Sequence, residues 1–171
     1  MDWRLRRAGP ADAAALSLVA GATFLEAFAG ILDGTDIVAH VARNSSAAAF
    51  GAYLFDDAIA TLAEADAGAA PIGYTLLTRP DLPVAMEPGD IELKRIYALF
   101  PTHGSGLGPA LMARAIDDAR ARGHHRLLLG VYGRNRRAQR FYEKQGFTVA
   151  GTRRFRVGAT WHDDLIYARA I

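Results

Sequence analysis

The chain has 171 residues, of which 51% are hydrophobic and 22% are charged, and these values exclude a largely disordered protein. It contains no cysteine, which excludes disulfides, thiolate metal sites and cysteine nucleophiles. The formal net charge of +2 argues against a nucleic-acid-binding protein. The charges are nevertheless unevenly placed, with 13 acidic and 6 basic side chains in residues 1–94 and 5 acidic and 14 basic ones in residues 95–171. One half should therefore attract cations and the other anions.

The length predicts a single domain that spans residues 1–171. No apolar run is expected to reach the roughly 18 residues that a membrane span needs. Residues 1–5 also lack the apolar core of a signal peptide. We therefore expect a cytoplasmic protein with no membrane or nucleic-acid partner. The five histidines show no metal-ligand spacing with carboxylates, so we expect no metal site either.

The first half of the chain alternates between strand-like and helix-like patterns. Pro10 suits the first turn of a helix, and Ser45 or Ser46 suits the N-cap of another. The expected elements are a strand at 3–7, helices at about 10–30, 33–43 and 45–54, paired strands at 59–64 and 72–78, and a proline-containing loop at 79–90.

The second half predicts a strand–helix–strand–helix order followed by two closing strands around Gly158. Gly123 and Gly146 mark the ends of its two helices. The expected elements are a strand at 91–100, a turn at 103–108, a helix at 109–122, a strand at 127–132, a helix at 136–145, and strands at 147–157 and 164–170. This order predicts an α/β fold whose sheet is mixed rather than purely parallel.

The turn His103-Gly104-Ser105-Gly106-Leu107-Gly108 joins a strand to a helix and contains three glycines. Glycines leave backbone N–H groups uncovered, and the following helix adds unpaired donors and a partial positive charge. Pro109 fits the first helical turn, where its missing N–H costs little. Such a turn is suited to binding a pyrophosphate.

Other phosphate or catalytic motifs match this turn poorly. A P-loop requires Gly-Lys followed by Ser or Thr, where the chain has Gly108-Pro109-Ala110. A dinucleotide fingerprint requires a third glycine at position 109 and an acidic residue at the end of strand 127–132, and the chain has neither. A nucleophile elbow around Ser105 requires glycines at positions 103 and 107. A plain glycine loop remains the alternative.

Two motifs together resemble the GNAT N-acetyltransferase superfamily. The first is His103-x-x-Gly106-x-Gly108, similar to an acetyl-coenzyme A (acetyl-CoA) signature that usually begins with Gln or Arg; the second is Asn135-x-x-Ala138-x-x-Phe141-Tyr142-x-x-x-Gly146-Phe147. Residues 92–98 also resemble the fourth strand of that family. The resemblance covers essentially the whole chain and is weakest over residues 20–60. It implies a mostly antiparallel sheet of about six or seven strands flanked by helices, with acetyl-CoA as cofactor.

The resemblance also implies how the cofactor binds. The pyrophosphate lies against the signature turn, and the pantetheine arm pairs with the fourth strand where strands 91–100 and 127–132 splay apart. Arg134 or Arg137 is a candidate for the 3′-phosphate, although a solvated helix start is the favoured interpretation of each. Asn135 either contacts the cofactor or caps helix 136–145. The implied cofactor-binding residues are Ile96, Tyr97, Ala98, His103, Gly104, Ser105, Gly106, Leu107, Gly108, Pro109, Asn135 and Tyr142.

Two residues are candidates for proton transfer. Tyr142 stands where the family often places a general acid for the departing thiolate, and its alternative is packing against Phe141. Glu92 is the candidate base, because an alkylamine must lose a proton before it attacks; its alternative is a surface glutamate paired with Lys94 or Arg95. Strict alternation predicts one strand face with Glu92, Lys94 and Ile96 and another with Leu93, Arg95 and Tyr97.

The segment Glu-Leu-x-Arg-Ile-Tyr and the early segment Thr23-Phe24…Phe28 resemble the small-amine, polyamine-like bacterial branch of the family, and the acidic first half agrees with a cationic acceptor. This implies acetyl transfer to a primary amine of a small cationic acceptor, by direct attack in a ternary complex. Phe24 and Phe28 either border the acceptor pocket or belong to the core. A non-catalytic acyl-CoA-binding sensor and a peptide N-terminal acetyltransferase stay open as alternatives. Family habit further suggests a homodimer formed through the last strands.

Overall fold

The helices and strands follow one another in the order that the sequence predicts. A computed structural model describes residues 2–157 and 160–171. Short 3-10 turns at Pro10–Asp12 and Phe100–Thr102 precede the first long helix and follow the fourth strand. The elements are β1 (Trp3–Arg7), α1 (Ala13–Phe28), α2 (Gly34–Asn44), α3 (Ala47–Phe55), β2 (Ile59–Ala65), β3 (Pro71–Thr78), β4 (Asp90–Ala98), α4 (Leu107–Ala121), β5 (Arg126–Tyr132), α5 (Arg136–Lys144), β6 (Thr148–Val157) and β7 (Thr160–Ala170).

All seven strands belong to one sheet, in the order β1-β2-β3-β4-β5-β7-β6. Within the described residues, β4 and β5 form the one parallel pair, and the other neighbours are antiparallel. The predicted fold class, a mixed and mostly antiparallel sheet of six or seven strands flanked by helices, is confirmed.

The helices cover the two faces of the sheet and bury its apolar side chains. On one face, Leu16 and Val19 of α1 pack with Leu62 and Leu76 of β2 and β3, and α3 joins this cluster through Phe50. On the opposite face, α4 and α5 pack on β3, β4 and β5. Removal of this apolar surface from water is the main force that holds the helices on the sheet.

Side-chain caps and one glycine set where the helices begin. Ser46, rather than Ser45, caps α3, because its hydroxyl accepts a hydrogen bond from the Ala49 N–H at 3.1 Å. The helix α4 begins at Leu107, two residues before its predicted start, with Gly106 as N-cap at a φ of 86°. Pro109 therefore still lies in the first turn, where a missing N–H is tolerated.

Two predicted strand ends differ from the structure by two residues or more. The strand β4 ends at Ala98 rather than at residue 100, because the chain turns into the 3-10 segment Phe100–Thr102. The strand β7 begins at Thr160, four residues earlier than predicted, because it pairs with β6 as far as Val157. Gly158, around which the two strands are expected to turn, lies outside the described residues.

A β-bulge in β4 overturns the predicted alternation of its side chains. The register pairs Leu77 with Leu93 but Leu76 with Arg95, so Lys94 is an extra residue on β4. Side chains beyond the bulge consequently change face. Glu92, Arg95 and Tyr97 lie on the face covered by α1 and α3, while Leu93 and Ile96 pack toward α4.

The strands β4 and β5 separate soon after they meet. Their parallel pairing includes only Asp90 with Arg126, Ile91 with Leu127 and Glu92 with Leu128 among the described residues. Beyond Glu92 the two strands continue without pairing, which opens a slot in the middle of the sheet. The predicted splaying of these strands is confirmed.

One stretch is apolar enough to be a candidate membrane span by length and composition alone. Among the described residues this stretch is Pro10–Phe28, with a mean hydropathy of 1.4. It contains Asp12 and Glu26, so it is not the uninterrupted apolar run of roughly 18 residues that the sequence was expected to lack. In the structure Leu16, Val19 and Ala20 of this stretch pack on the sheet.

Candidate active site

Two cavities meet at the slot between β4 and β5. The larger, of about 560 Å³, lies between this slot and the starts of α4 and α5. The smaller, of about 380 Å³, lies on the face covered by α1, α2 and α3. The residues that line both cavities are Phe28, Lys94, Arg95, Tyr97, Gly130 and Tyr132. A ligand in one cavity is therefore in reach of a ligand in the other.

The glycine-rich turn presents backbone donors to the larger cavity. Gly104, Gly106 and Gly108 line it, and their N–H groups donate no hydrogen bond to any residue that the structure describes. Gly104 and Gly106 have φ values of 85° and 86°, which L side chains rarely adopt. Three unpaired N–H groups beside a helix N-terminus form a site for an anion such as pyrophosphate.

Not every residue of the predicted turn contacts this cavity. The donors of Ser105 are occupied, since its N–H and its hydroxyl both donate to the Thr102 carbonyl, at 3.1 and 2.7 Å. The Leu107 side chain is fully buried in the core. Neither residue lines the larger cavity, whereas His103 and Pro109 do. The backbone N–H groups of the turn that remain available to a ligand in the larger cavity are therefore those of Gly104, Gly106 and Gly108.

His103 forms a pair with Arg137 at the rim of the larger cavity. The Arg137 guanidinium lies 3.0 Å from His103 Nδ1, and His103 Nε2 lies 3.1 Å from the Ala98 carbonyl oxygen. Burial, and then the charge of Arg137, lowers the pKa of His103 and favours the neutral ring. We assign its proton to Nε2, because Nε2 faces a carbonyl acceptor and Nδ1 faces the Arg137 donor. Arg137 lines the cavity and Arg134 does not. The sequence interpretation of Arg137 as part of a solvated helix start is thus incomplete.

The end of β4 has an open backbone edge on the larger cavity. The Leu99 N–H donates to the Ile72 carbonyl across β3, so alternation directs the main-chain groups of Ile96 and Ala98 toward β5. Pairing with β5 has already ended at Glu92. The N–H and C=O groups of Ile96 and the N–H of Ala98 are thus placed to pair with an extended ligand that contains amides, while the Ala98 carbonyl contacts His103.

Tyr142 lies in the wall of the larger cavity. Its ring packs among Phe141, Phe147 and Tyr167, and its hydroxyl donates to no residue within the described chain. Burial raises the pKa of Tyr142, so the phenol stays protonated at neutral pH and is a proton donor. Packing and proton donation are compatible roles for this side chain.

Asn135 lines the same cavity and also caps α5. Its Oδ1 accepts a hydrogen bond from the Ala138 N–H at 3.0 Å, so the capping interpretation is confirmed. The side-chain amide nitrogen donates to no residue in the part of the chain that the structure describes. Asn135 therefore retains a donor for a ligand.

Glu92 lies in the smaller cavity, away from the glycine turn. It is 2% exposed, so the alternative of a surface glutamate is wrong about exposure, although the pairing with Lys94 that it included is present. Its Oε2 accepts a hydrogen bond from the Asp81 N–H at 2.8 Å, and Lys94 Nζ lies 3.9 Å from Oε1. Phe24 lines the same cavity and Phe28 lines both. The structure thus brings the three predicted acceptor-site residues together.

Several residues of the smaller cavity had no predicted role from sequence: His40, Arg153, His162 and Asp164. Burial lowers the pKa of His40 to about 4, with smaller effects from Arg95 and Arg43. Burial also raises the pKa of Asp164, whose Oδ2 accepts a hydrogen bond from Arg153 Nε at 3.3 Å. Arg153 and Asp164 are cross-strand partners, so correct prediction of the β6–β7 pairing would have placed them together.

Comparisons with known proteins agree with this geometry. The model of the acetyltransferase (GNAT) family matches residues 31–147. An uncharacterised N-acetyltransferase of Mycobacterium bovis is 38% identical over 160 residues, which cover 94% of this chain and 98% of that protein.

Solved structures share the fold. The PaiA N-acetyltransferase of Thermoplasma acidophilum, in complex with coenzyme A, superposes with a TM-score of 0.82 at 22% identity and full coverage of both chains. YncA of Salmonella typhimurium, with its cofactor acetyl-CoA, gives a TM-score of 0.70 at 22% identity, with 99% of this chain and 94% of that one covered. The chain belongs to the GNAT family of N-acetyltransferases, enzymes that take their acetyl group from acetyl-CoA.

Proposed function

We propose that acetyl-CoA binds in the larger cavity and that a small-molecule acceptor binds in the smaller one through its primary amine. The observation that carries this proposal is the junction of the two cavities at the slot, where Tyr97 and Gly130 line both. This arrangement supports direct attack within a ternary complex, because ligands in the two cavities meet at the residues that line both. Holding them together in this way removes most of the entropic cost of a bimolecular encounter.

Each part of acetyl-CoA has a proposed partner. The unpaired N–H groups of Gly104, Gly106 and Gly108 bind the pyrophosphate, and Arg137 binds the 3′-phosphate. The open edge of Ile96–Ala98 pairs with the pantetheine amides. The Asn135 amide lies farther along the same cavity and adds a donor.

The chemical step follows from these positions. The amine nitrogen attacks the thioester carbonyl carbon, so a C–N bond forms and the C–S bond breaks with its electron pair on sulfur. Tyr142 donates a proton to that sulfur, giving the free thiol of coenzyme A, and solvent later returns the proton to Tyr142. The proton lost by the amine passes to Glu92, directly or through water. A strand amide near Ala98 stabilises the negative charge that develops on the carbonyl oxygen.

Thiol release from acetyl-CoA over a panel of amines tests this proposal. We expect Tyr142→Phe and Glu92→Gln each to lower kcat roughly 100-fold, the effect of losing one general acid or base. Tyr167→Phe is the matched control, because its hydroxyl bonds Glu143 at 3.1 Å and lines neither cavity. Binding of acetyl-CoA without turnover of any amine would instead support the non-catalytic sensor.

The polyamine-like acceptor has limited support from the smaller cavity. Of the acidic residues in the first half of the chain, Asp81 and Glu92 line it. Asp57 pairs instead with Arg122 at 2.8 Å, and Asp33 caps α2 through the Thr35 N–H. Spermidine, an aminoglycoside and a short peptide therefore belong in the panel beside simpler amines.

We further propose a cytoplasmic, single-domain enzyme that forms a homodimer through its last strands. Val149 and Trp161 support the dimer, since both are apolar, more than half exposed and located on the β6–β7 hairpin at the sheet edge. Light scattering coupled to gel filtration tests the dimer. A wild-type monomer at micromolar concentration would contradict it.

A further inference from the structure

The charges that line the smaller cavity balance one another. Burial keeps His40 neutral, because its pKa is lowered to about 4. A polycation would require a surplus of carboxylates in its pocket. The charged lining residues are the acids Asp81, Glu92 and Asp164 and the bases Lys94, Arg95 and Arg153. This balance fits an acceptor that carries one negative group as well as an amine.

Two of the three bases are already engaged by the protein. Arg95 donates to the Ser45 hydroxyl at 3.2 Å and to the Asn44 carbonyl at 2.5 Å, and its guanidinium lies over the Phe50 ring. These contacts tie β4 to the α2–α3 corner. The Lys94 ammonium lies 3.9 Å from Glu92, the buried carboxylate of the same strand.

Arg153 is engaged along one edge only. Its side chain is 19% exposed, its Nε donates to Asp164 at 3.3 Å, and its guanidinium lies 4.7 Å above the Phe155 ring. The two Nη groups donate no hydrogen bond within the described residues. Unpaired donors on a largely buried cation are costly, and a planar pair of Nη groups matches the two oxygens of a carboxylate.

The position of Arg153 places this open edge next to the reaction. A Cβ added to Gly130 would lie 2.5 Å from Arg153 Nη2, so the guanidinium packs directly over Gly130. Gly130 lines both cavities. A carboxylate bound by Arg153 therefore lies close to the point where acceptor and acetyl group meet.

We infer that the acceptor is a small amine that also bears a carboxylate, the class to which amino acids belong, and that Arg153 binds this carboxylate. The inference rests on the proposed function and replaces the polyamine within it. Glu92 faces the amine of such an acceptor, and Arg153 faces its carboxylate. The aromatic side chains of Phe24, Tyr53 and Phe155 favour an apolar substituent on the acceptor.

Matched amines test the substrate class. L-Leucine, L-methionine and L-phenylalanine are each compared with their amide and their decarboxylated amine, and spermidine is added. Thiol release from acetyl-CoA gives kcat/KM for each compound. We expect kcat/KM for the three amino acids to exceed that for the counterparts that lack the carboxylate roughly 10- to 100-fold, the range of one hydrogen-bonded charge pair.

Variants that remove or displace the Arg153 guanidinium test whether Arg153 binds the carboxylate of the acceptor. Arg153→Gln should reduce the ratio of kcat/KM for amino acid over decarboxylated amine to near one, and Arg153→Lys should restore part of it. Gly130→Ala should lower the same ratio by displacing the guanidinium while its charge is kept. Arg154→Gln is the control, because Arg154 is on the same strand but stacks on exposed Trp161 and lines neither cavity.

The outcomes separate the inference from the function on which it rests. Turnover that favours spermidine or the decarboxylated amines would overturn the inference and leave the acetyltransferase proposal intact. A ratio unchanged in Arg153→Gln and in Gly130→Ala would overturn it as well. Should Arg153→Gln fail to fold by circular dichroism, Gly130→Ala alone decides. If acetyl-CoA binds but no amine gives thiol release, the proposed function is overturned, and the inference with it.

Discussion

His103 and Arg137 share a task at the cavity rim that depends on a neutral histidine. The Nδ1 atom accepts from Arg137 at 3.0 Å, while Nε2 holds the Ala98 carbonyl at 3.1 Å. A protonated ring would lose the first of these contacts, and the lowered pKa of His103 prevents that. The histidine at the first signature position thus positions an arginine rather than serving as the cation itself.

Arg137→Gln should weaken acetyl-CoA binding roughly tenfold, because it removes one charge-assisted contact to a phosphate from an exposed side chain. Binding of the 3′-dephospho analogue should be unchanged, since that ligand lacks the phosphate in question. Isothermal titration measures both affinities. Arg134→Gln is the matched control, because Arg134 does not line the cavity. Equal losses for the two ligands would show that Arg137 acts elsewhere.

Residues in short motifs were predictable, and residues chosen by helix orientation were not. The spacing of Gly106, Gly108 and Tyr142 located the larger cavity, because local backbone geometry and one helix fix these positions. The sequence offers Arg134 and Arg137 equally as candidates for the 3′-phosphate. Arg134 precedes the Asn135 cap, whereas Arg137 is on α5, and the packing of α5 on the sheet brings Arg137 to the cavity.

At the scale of elements, β4 determines the geometry of both cavities. Its first three residues pair with β5, and its last residues form the open backbone edge. The bulge at Lys94 moves the side chains that follow it to the opposite face of the sheet from the one that strict alternation predicts. Alternation along the sequence predicts faces only while a strand is regular. The bulge is visible only in the register with β3, so the sequence assigned Arg95, Ile96 and Tyr97 to the wrong faces.

A buried ion pair holds β4 and β5 together just before they separate. Arg126 donates from Nε and Nη2 to the two carboxylate oxygens of Asp90, each at 2.6 Å. Asp90→Asn should lower the free energy of unfolding by about 2 kcal/mol, since it removes the two charge-assisted hydrogen bonds of a carboxylate that is 3% exposed, while Arg126 keeps Glu87 as a partner. Urea unfolding at pH 7 measures this loss. Glu87→Gln, at an exposed partner of Arg126, should cost less than about 1 kcal/mol.

The pH dependence supplies a second readout for the same pair. The hydrogen bonds from Arg126 hold the pKa of Asp90 below its ordinary value. The stabilisation is therefore present at neutral pH and is lost as the pH falls through that lowered pKa. The difference between wild type and Asp90→Asn should shrink over the same range. A difference that stays constant down to pH 3 would argue against the ion pair as its cause.

At the scale of the whole molecule, part of the uneven charge of the two halves is used for internal contacts. Arg126 pairs with Asp90 at 2.6 Å and Arg122 with Asp57 at 2.8 Å, and each pair joins a base of the second half to an acid of the first. The sequence therefore predicted correctly that the two halves carry opposite net charge, but not which of these charged side chains pair within the protein and which line the site. The site charge depends on a few buried groups, which a count over 94 residues cannot identify.

The sheet consists of two parts, β1 to β4 and β5-β7-β6, which are joined by the three residue pairs between β4 and β5. A pantetheine arm in the slot would act as the missing connection between them. We expect coenzyme A to slow amide exchange in residues 93–98 and 129–132 at labelling times of seconds, where local opening dominates. Hydrogen–deuterium exchange by mass spectrometry measures this protection, with β2 as the internal reference because it is paired on both sides.

Adenosine 3′,5′-bisphosphate separates bridging from simple occupancy, because it carries a 3′-phosphate but lacks the pantetheine arm. It should protect the turn at 103–108 and leave β4 and β5 as they are in the free protein. Equal protection of the strands by both ligands would mean that phosphate binding alone tightens the sheet. Protection confined to coenzyme A would mean that the slot is where the ligand completes the fold, because the backbone groups that β4 and β5 leave unpaired are then satisfied by the arm.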